Sequence, residues 1–122
     1  MKLQNLEIEG FNIQADLAGD TVELKLQGAI QSANPEDFLD PYFKSLIEWA
    51  AEDRLSIRCD FVLLEYMNSA SIPPLISLLR KCAENSIEGE FIYDSKRKVQ
   101  AASFKALDVI ARKSKFTTVK GV

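Results

Sequence analysis

The spacing of apolar residues changes period again and again along this chain, and that rhythm limits the fold more than any single residue does. Leu6-Glu7-Ile8-Glu9 alternates strictly before Gly10, Asn12–Ala15 continues a weaker alternation, and Thr21-Val22-Glu23-Leu24-Lys25-Leu26 alternates again. A period of two puts every second side chain on one face, so these runs predict strands with one buried and one wet face. Gly19-Asp20 between them reads as a turn, which makes the pair antiparallel. The polar stretch that follows ends at Asn34-Pro35. Asn suits an N-cap, and proline suits the first helical position, where its missing N–H costs nothing. Phe38, Leu39, Tyr42, Phe43, Leu46, Ile47 and Ala50 then recur at helical spacing. They predict an amphipathic helix through about Glu52, with Pro41 early enough to be tolerated.

The rhythm then returns to two. Ile57, Cys59, Phe61 and Leu63 alternate, with Val62 and Leu64 apolar on the opposite side. That thickening predicts a central strand covered on both faces toward its end. Asn68-Ser69-Ala70-Ser71 is a polar joint before a second helix, which carries Leu75, Leu78, Leu79 and Cys82 at i, i+3, i+4 and i+7. Asn85 and Ser86 end it, Phe91-Ile92-Tyr93 is a short strand, and Asp94-Ser95 is a plausible cap. Val99, Ala102, Ala106, Val109 and Ile110 line a third helix, and Phe116–Val119 reads as a last short strand or a docked tail. The order is ββαβαβα(β). Right-handed crossovers make the later strands parallel beside an antiparallel start. The expected fold is α/β: one domain over residues 1–122, a mixed four- to five-stranded sheet with three helices packed on it.

A chain of 122 residues with 47% hydrophobic and 27% charged residues can bury a proper core without staples. Its net charge of -3 shows no basic excess of the kind that nucleic-acid binding needs. No secretory pattern opens the sequence, and no apolar stretch approaches the length of a membrane span. The expectation is a cytoplasmic protein that engages neither membrane nor nucleic acid. Cys59 and Cys82 sit within apolar patterns, which predicts buried free thiols. The chain has no histidine. That excludes Ser-His-Asp and Cys-His machinery and imidazole metal ligands, and two separated cysteines make no structural zinc site. The five glycines form no phosphate-binding loop, and no cofactor is implied. An enzyme here would rest on carboxylates or lysines alone. Glu36, Asp37 and Asp40 could form a carboxylate or cation site, but acids in a first helical turn are ordinarily there for the helix dipole.

In an open α/β sheet, binding sites gather where the carboxyl ends of strands meet helix starts. Here that junction is Glu65-Tyr66-Met67-Asn68-Ser69-Ala70-Ser71-Ile72-Pro73-Pro74. Hydrophobic strand, polar turn and apolar helix together resemble the signature of STAS domains, the fold of anti-sigma-factor antagonists, whose usual turn is Met-Asp-Ser-Ser-Gly-Leu-Gly. Met67 and Ser69 match it, while Asn68, Ala70 and Ser71 replace the acid, the second serine and the glycine. Leu64-Glu65-Tyr66-Met67-Asn68-Ser69-Ala70-Ser71 is similar to the Leu-Glu-Tyr-Phe-Asn-Thr-Ser-Ser segment of SiaC-type regulatory phosphoproteins, a STAS-like branch. Pro35-Glu36 and Trp49 are similar in character to further features of that branch.

The resemblance implies a non-enzymatic, phosphorylation-controlled signalling switch in a bacterial cytoplasm. Ser69 would be the phosphate acceptor, with Ser71 as runner-up, and Asn68, Ser69, Ser71 and Ile72 would form the partner surface. Implied partners are a serine/threonine kinase of the anti-sigma type and a metal-dependent serine phosphatase. The downstream target would be a diguanylate cyclase in the SiaC-type branch or the anti-sigma kinase in the other. The residues alone also allow Ser69 or Ser71 simply to cap the helix, and the two roles can coexist. Ala70 and Pro73-Pro74 favour a constitutive binding module without phosphorylation. Lys96 and Arg97, with Lys98, form a basic run expected on the same rim, where they could pair with a phosphate or an acidic partner, or stand as a solvated charged face.

Overall fold

The structure, a computed structural model, describes residues 3–122. Strands β1 (Leu6–Ile8), β2 (Phe11–Ala18) and β3 (Thr21–Ile30) open the chain, followed by helix α1 (Glu36–Asp53). Strands β4 (Ser56–Asp60) and β5 (Leu64–Met67) come next, then a 3-10 turn at Ser69–Ser71 and helix α2 (Ile72–Glu84). Strand β6 (Gly89–Tyr93), helix α3 (Lys98–Ala111) and strand β7 (Thr117–Gly121) complete the order. The sheet therefore has seven strands, where four to five were expected. They occupy six lanes in the order β1-β2-β3-β4-β6-β7, and β5 pairs with β3 beyond the end of β4. The first three strands are antiparallel neighbours, and all later pairings are parallel.

Each crossover moves the chain in the same direction across the sheet. Right-handed crossovers of that kind deliver every helix to one face. Residue burial agrees: Val22, Leu24, Leu26, Ile57, Cys59 and Phe91 are buried beneath the helices, and α2 packs between α1 and α3. The opposite face is polar. Glu23, Arg58 and Glu90 lie side by side in register across three strands, with Arg58 at 3.1 Å from Glu90 and 3.8 Å from Glu23. Ion pairs this exposed add little stability. Both thiols are buried, as expected, and neither is in a disulfide. Burial, then Cys82 and Asp60, raises the Cys59 thiol, and burial pushes Cys82 up to about 12.

Three local expectations change. The single strand expected at Ile57–Leu64 is two. Val62 N–H turns back to the Asp60 carboxylate at 2.9 Å, Leu64 N–H reaches Phe61 O at 3.0 Å, and Leu63 is 54% exposed. The strand is interrupted by a turn, so its apolar thickening is not a second covered face. At the first helix, Pro35 takes the cap position with no side-chain cap, and Asn34 contributes its carbonyl to Asp37 N–H instead.

The third change is the largest. Helix α3 buries Gln100, Phe104, Leu107 and Ala111, while Val99 is 72% and Val109 63% exposed. Both sets have helical spacing. The Phe104 ring settles the choice, because it lies 4.8 Å from the ring of Phe61 and stacks on Tyr93 at 5.0 Å. A buried aromatic outweighs valines and alanines in area removed from water.

Gly28 explains why the hairpin meets the rest of the sheet as it does. Its φ is +90°, and a Cβ there would collide with the carbonyl oxygen of Gly10. The close approach lets Ala29 N–H donate to Gly10 O at 2.8 Å, at the point where β3 shifts register and passes from β4 to β5. Only glycine combines that conformation with that contact.

Candidate functional site

Strands β3 and β5 run parallel and end together, with Ile30 opposite Met67. Their carboxyl ends therefore form one rim, and Asn68 is the first residue off it. Its backbone N–H donates to Ile30 O at 3.1 Å, and its side-chain amide donates to Ser32 O at 2.6 Å. The same side chain accepts the Ser71 hydroxyl at Oδ1, 2.9 Å away, and its carbonyl accepts Ser71 N–H at 3.1 Å. The position thus needs a donor on one side and an acceptor on the other. A carboxamide supplies both; an ionised aspartate would set an acceptor against the Ser32 carbonyl.

The two serines differ completely. Ser71 is fully buried, and its hydroxyl is spent on Asn68. Ser69 is exposed at the start of the 3-10 turn, and its hydroxyl makes no hydrogen bond among the described residues. Neither serine caps α2 with its side chain. The Asn68–Ser71 pair organises the helix entry instead. Ile72 begins α2 half-buried, and Pro73 and Pro74 follow within the first turn. Having no N–H, these prolines remove two of the donors a helix start ordinarily offers an anion.

The basic run is arranged differently from the expectation. Helix α3 begins at Lys98, so Lys96 and Arg97 belong to the preceding turn. Arg97 sends Nη1 to Leu64 O at 3.1 Å and lies 3.5 Å from the Asp94 carboxylate. Lys96 is exposed, with its backbone N–H on Asp94 Oδ1. Among the described residues neither makes a hydrogen bond or ion pair with Asn68–Ser71. Arg97 does reach the neighbourhood: with Tyr66, Met67, Val99 and Ser103 it lines a cavity of about 330 Å³ between β5 and the start of α3.

Gln100 is a site-forming residue that the sequence reading missed. It is buried, donates to Phe61 O at 3.1 Å and Leu64 O at 3.0 Å, and accepts Asp94 N–H at 2.8 Å. It therefore locks the outer edge of β5 to the start of α3. The signal was its helical spacing with Phe104, Leu107 and Ala111. Ser32, the acceptor for Asn68, carried no signal, because its part comes from β3 and β5 ending together. Glu36, Asp37 and Asp40 remain at the start of α1, and among the described residues no three potential metal-ligating side chains come together. No helix there is long and apolar enough to cross a membrane.

No family model matches this chain, and no curated protein does. Solved structures do match. One is an anti-sigma factor antagonist from Mycobacterium paratuberculosis, with a TM-score of 0.59 and 11% identity over 88% of this chain and 85% of that one. Another comes from the complex of the diguanylate cyclase SiaD with its activator SiaC from Pseudomonas aeruginosa, with a TM-score of 0.58 and 18% identity over 92% of each chain. The chain has a STAS-like fold. At these identities the likeness is one of fold, and function has to be argued from the site.

Proposed function

We propose that this chain is a non-enzymatic signalling regulator that binds a partner protein at the rim where β5 runs into α2, and that phosphorylation of Ser69 decides whether it binds. The observation that carries this reading is the division of labour between two serines. Ser69 is exposed with an uncommitted hydroxyl, while Ser71 is buried and holds the joint together. A phosphate on Ser69 adds roughly -1.5 to -2 charges at pH 7 at the edge of the partner surface formed by Asn68, Ser69 and Ile72. An acidic partner is then repelled and a basic one attracted. The rim can do this without moving, because Asn68 fixes it to β3. The partners we propose with this reading are a serine/threonine kinase of the anti-sigma type, a metal-dependent serine phosphatase, and a target that is either a diguanylate cyclase or the kinase itself. All of these belong to a bacterial cytoplasm.

A second reading is a constitutive binding module of the same architecture. Pro73 and Pro74 withhold N–H groups from a phosphate, and Arg97 is already engaged with Leu64 and Asp94. Intact-mass and phosphopeptide analysis of the protein from its native host, wild type against Ser69→Ala, separates the two. The expected result is one phosphate on Ser69 that disappears in the variant. Absence of phosphate under every growth condition would establish the constitutive module, and phosphate on Ser71 would move the switch into the buried joint.

A further inference from the structure

Helix α3 has two apolar faces, and the protein's own core uses one. The outward face repeats at seven: Val99 and Ala106 are one heptad apart, as are Ala102 and Val109, and the two pairs interleave at spacings of three and four. That is the a/d spacing of a coiled-coil seam, held here over two heptads. All four residues are exposed. Beside them Lys98, Lys105 and Arg112 also recur at seven, in the g position that flanks such a seam. Three basic residues on one ridge parallel to four apolar ones form a two-heptad surface about 15 Å long from Val99 to Val109.

We propose that this outward face of α3 docks an acidic, leucine-rich amphipathic helix of a partner protein. Charge decides the occupant. Residues 94–122 carry eight Lys and Arg against two acids, while residues 1–93 carry seven against sixteen. Both acids of the basic segment are already paired, Asp94 with Arg97 and Asp108 with Arg112 at 2.9 Å. Lys98 and Lys105 have no ion pair among the described residues. They await glutamates or aspartates on the facing helix, and charges flanking a seam choose its partner and orientation.

Size decides the facing residues. Alanines at the centre of the seam let a neighbouring helix come close and leave room for large aliphatic side chains, because small and large residues interdigitate. The cavity of about 330 Å³ beside Val99 and Tyr66 extends the seam at its amino end and can take one more apolar side chain. A lipid surface is a poorer fit. Helices that lie in the membrane interface bury Trp, Phe and Leu, and the Phe and Leu of α3, Phe104 and Leu107, are turned into the core, with Ile110 half-buried. None of the seam residues belongs to the Asn68–Ser71 joint.

The test uses the full chain and a fluorescein-labelled 21-residue peptide with Leu at its a and d positions and Glu at e and g, whose own charge keeps it monomeric at pH 7. Its counterpart has every Glu replaced by Lys. Fluorescence anisotropy should show saturable binding of the Glu peptide at least tenfold tighter than of the Lys peptide. Val109→Asp should weaken it at least tenfold without altering the thermal melt. Lys98→Glu/Lys105→Glu should reverse the preference between the peptides, and Ser69→Ala should leave it unchanged. Equal binding of the two peptides, or none, overturns the proposal. So does a wild-type dimer in sedimentation that Val109→Asp dissociates, which would assign the face to a second copy. Binding to anionic vesicles or to duplex DNA that outcompetes the Glu peptide would likewise overturn it. Loss of the Ser69 phosphate reading would leave all of these outcomes in place.

Discussion

Helices α2 and α3 follow parallel strands, pack side by side on the same face of the sheet and differ by one residue in length. Their sequences treat the core in opposite ways. In α2 the apolar spacing of Leu75, Leu78, Leu79 and Cys82 is the buried face itself. In α3 the more conspicuous spacing, Val99-Ala102-Ala106-Val109, faces solvent, and the core takes Gln100, Phe104, Leu107 and Ala111. A helix that serves only its own domain has one apolar stripe. A helix with two has apolar surface that the domain does not consume, and in α3 that surplus lies along a row of basic residues.

The sharpest way to break this contrast is to truncate both core faces and the outer one. In urea unfolding, Leu78→Ala in α2 should cost about 2–5 kcal/mol and Phe104→Ala in α3 about 3–5 kcal/mol. Val109→Ala should stay within about 0.5 kcal/mol, because its site is 63% exposed. A large loss at Val109 would show that the outer face is part of the core after all. A smaller effect is expected at the one polar residue in these core faces. Gln100→Leu leaves the Asp94 N–H without its partner and takes one of two donors from each carbonyl, since Phe61 O keeps Leu64 N–H and Leu64 O keeps Arg97. Stability should fall by about 1–3 kcal/mol, and no position on the buried face of α2 should behave this way.

The smallest effect near neutrality belongs to Cys82 on α2. Burial holds its thiol near 12 against an ordinary 9.0. Between those values the unfolded chain has lost the proton and the folded one keeps it, so stability is intact below about pH 9 and declines as pH rises toward 12. A denaturation series from pH 7 to 11 should therefore be flat at first and then fall. Replacing Cys82 by Ala should lower the plateau and make the alkaline decline shallower, the raised Cys59 thiol keeping part of it in place.

Much of this arrangement was legible in the residues. The two alternating runs around Gly19-Asp20 became β2 and β3, α1 and α2 buried the residues their spacing named except Phe38, which is half-buried, and the thiols are buried. The joint at Asn68–Ser71 lies where strand and helix were expected to meet. What was not legible has one physical cause. Periodicity shows which residues share a face, but not which of two competing faces wins, and in α3 Phe104 decided it through rings from β6 and the Phe61 turn. The break between β4 and β5 escaped for a related reason. An Asp60 side chain that bonds Val62 N–H turns the chain without glycine or proline to announce it. Roles within the joint depended on contacts 36 residues away, as with Asn68 and Ser32.

The break at Asp60 also determines how force would pass through the molecule. Strand β5 shares a full backbone ladder only with β3, because β6 pairs with β4 and goes no further. On its other edge, Leu64 O is gripped by two side chains, Arg97 and Gln100. Any pull on the Ser69 turn therefore loads a short strip with one sewn edge and one buttoned edge. Local openings follow the weakest fastening. By contrast β4 and β6 each have a strand ladder on both edges, and Ser69 lies two residues beyond the end of the strip that does not.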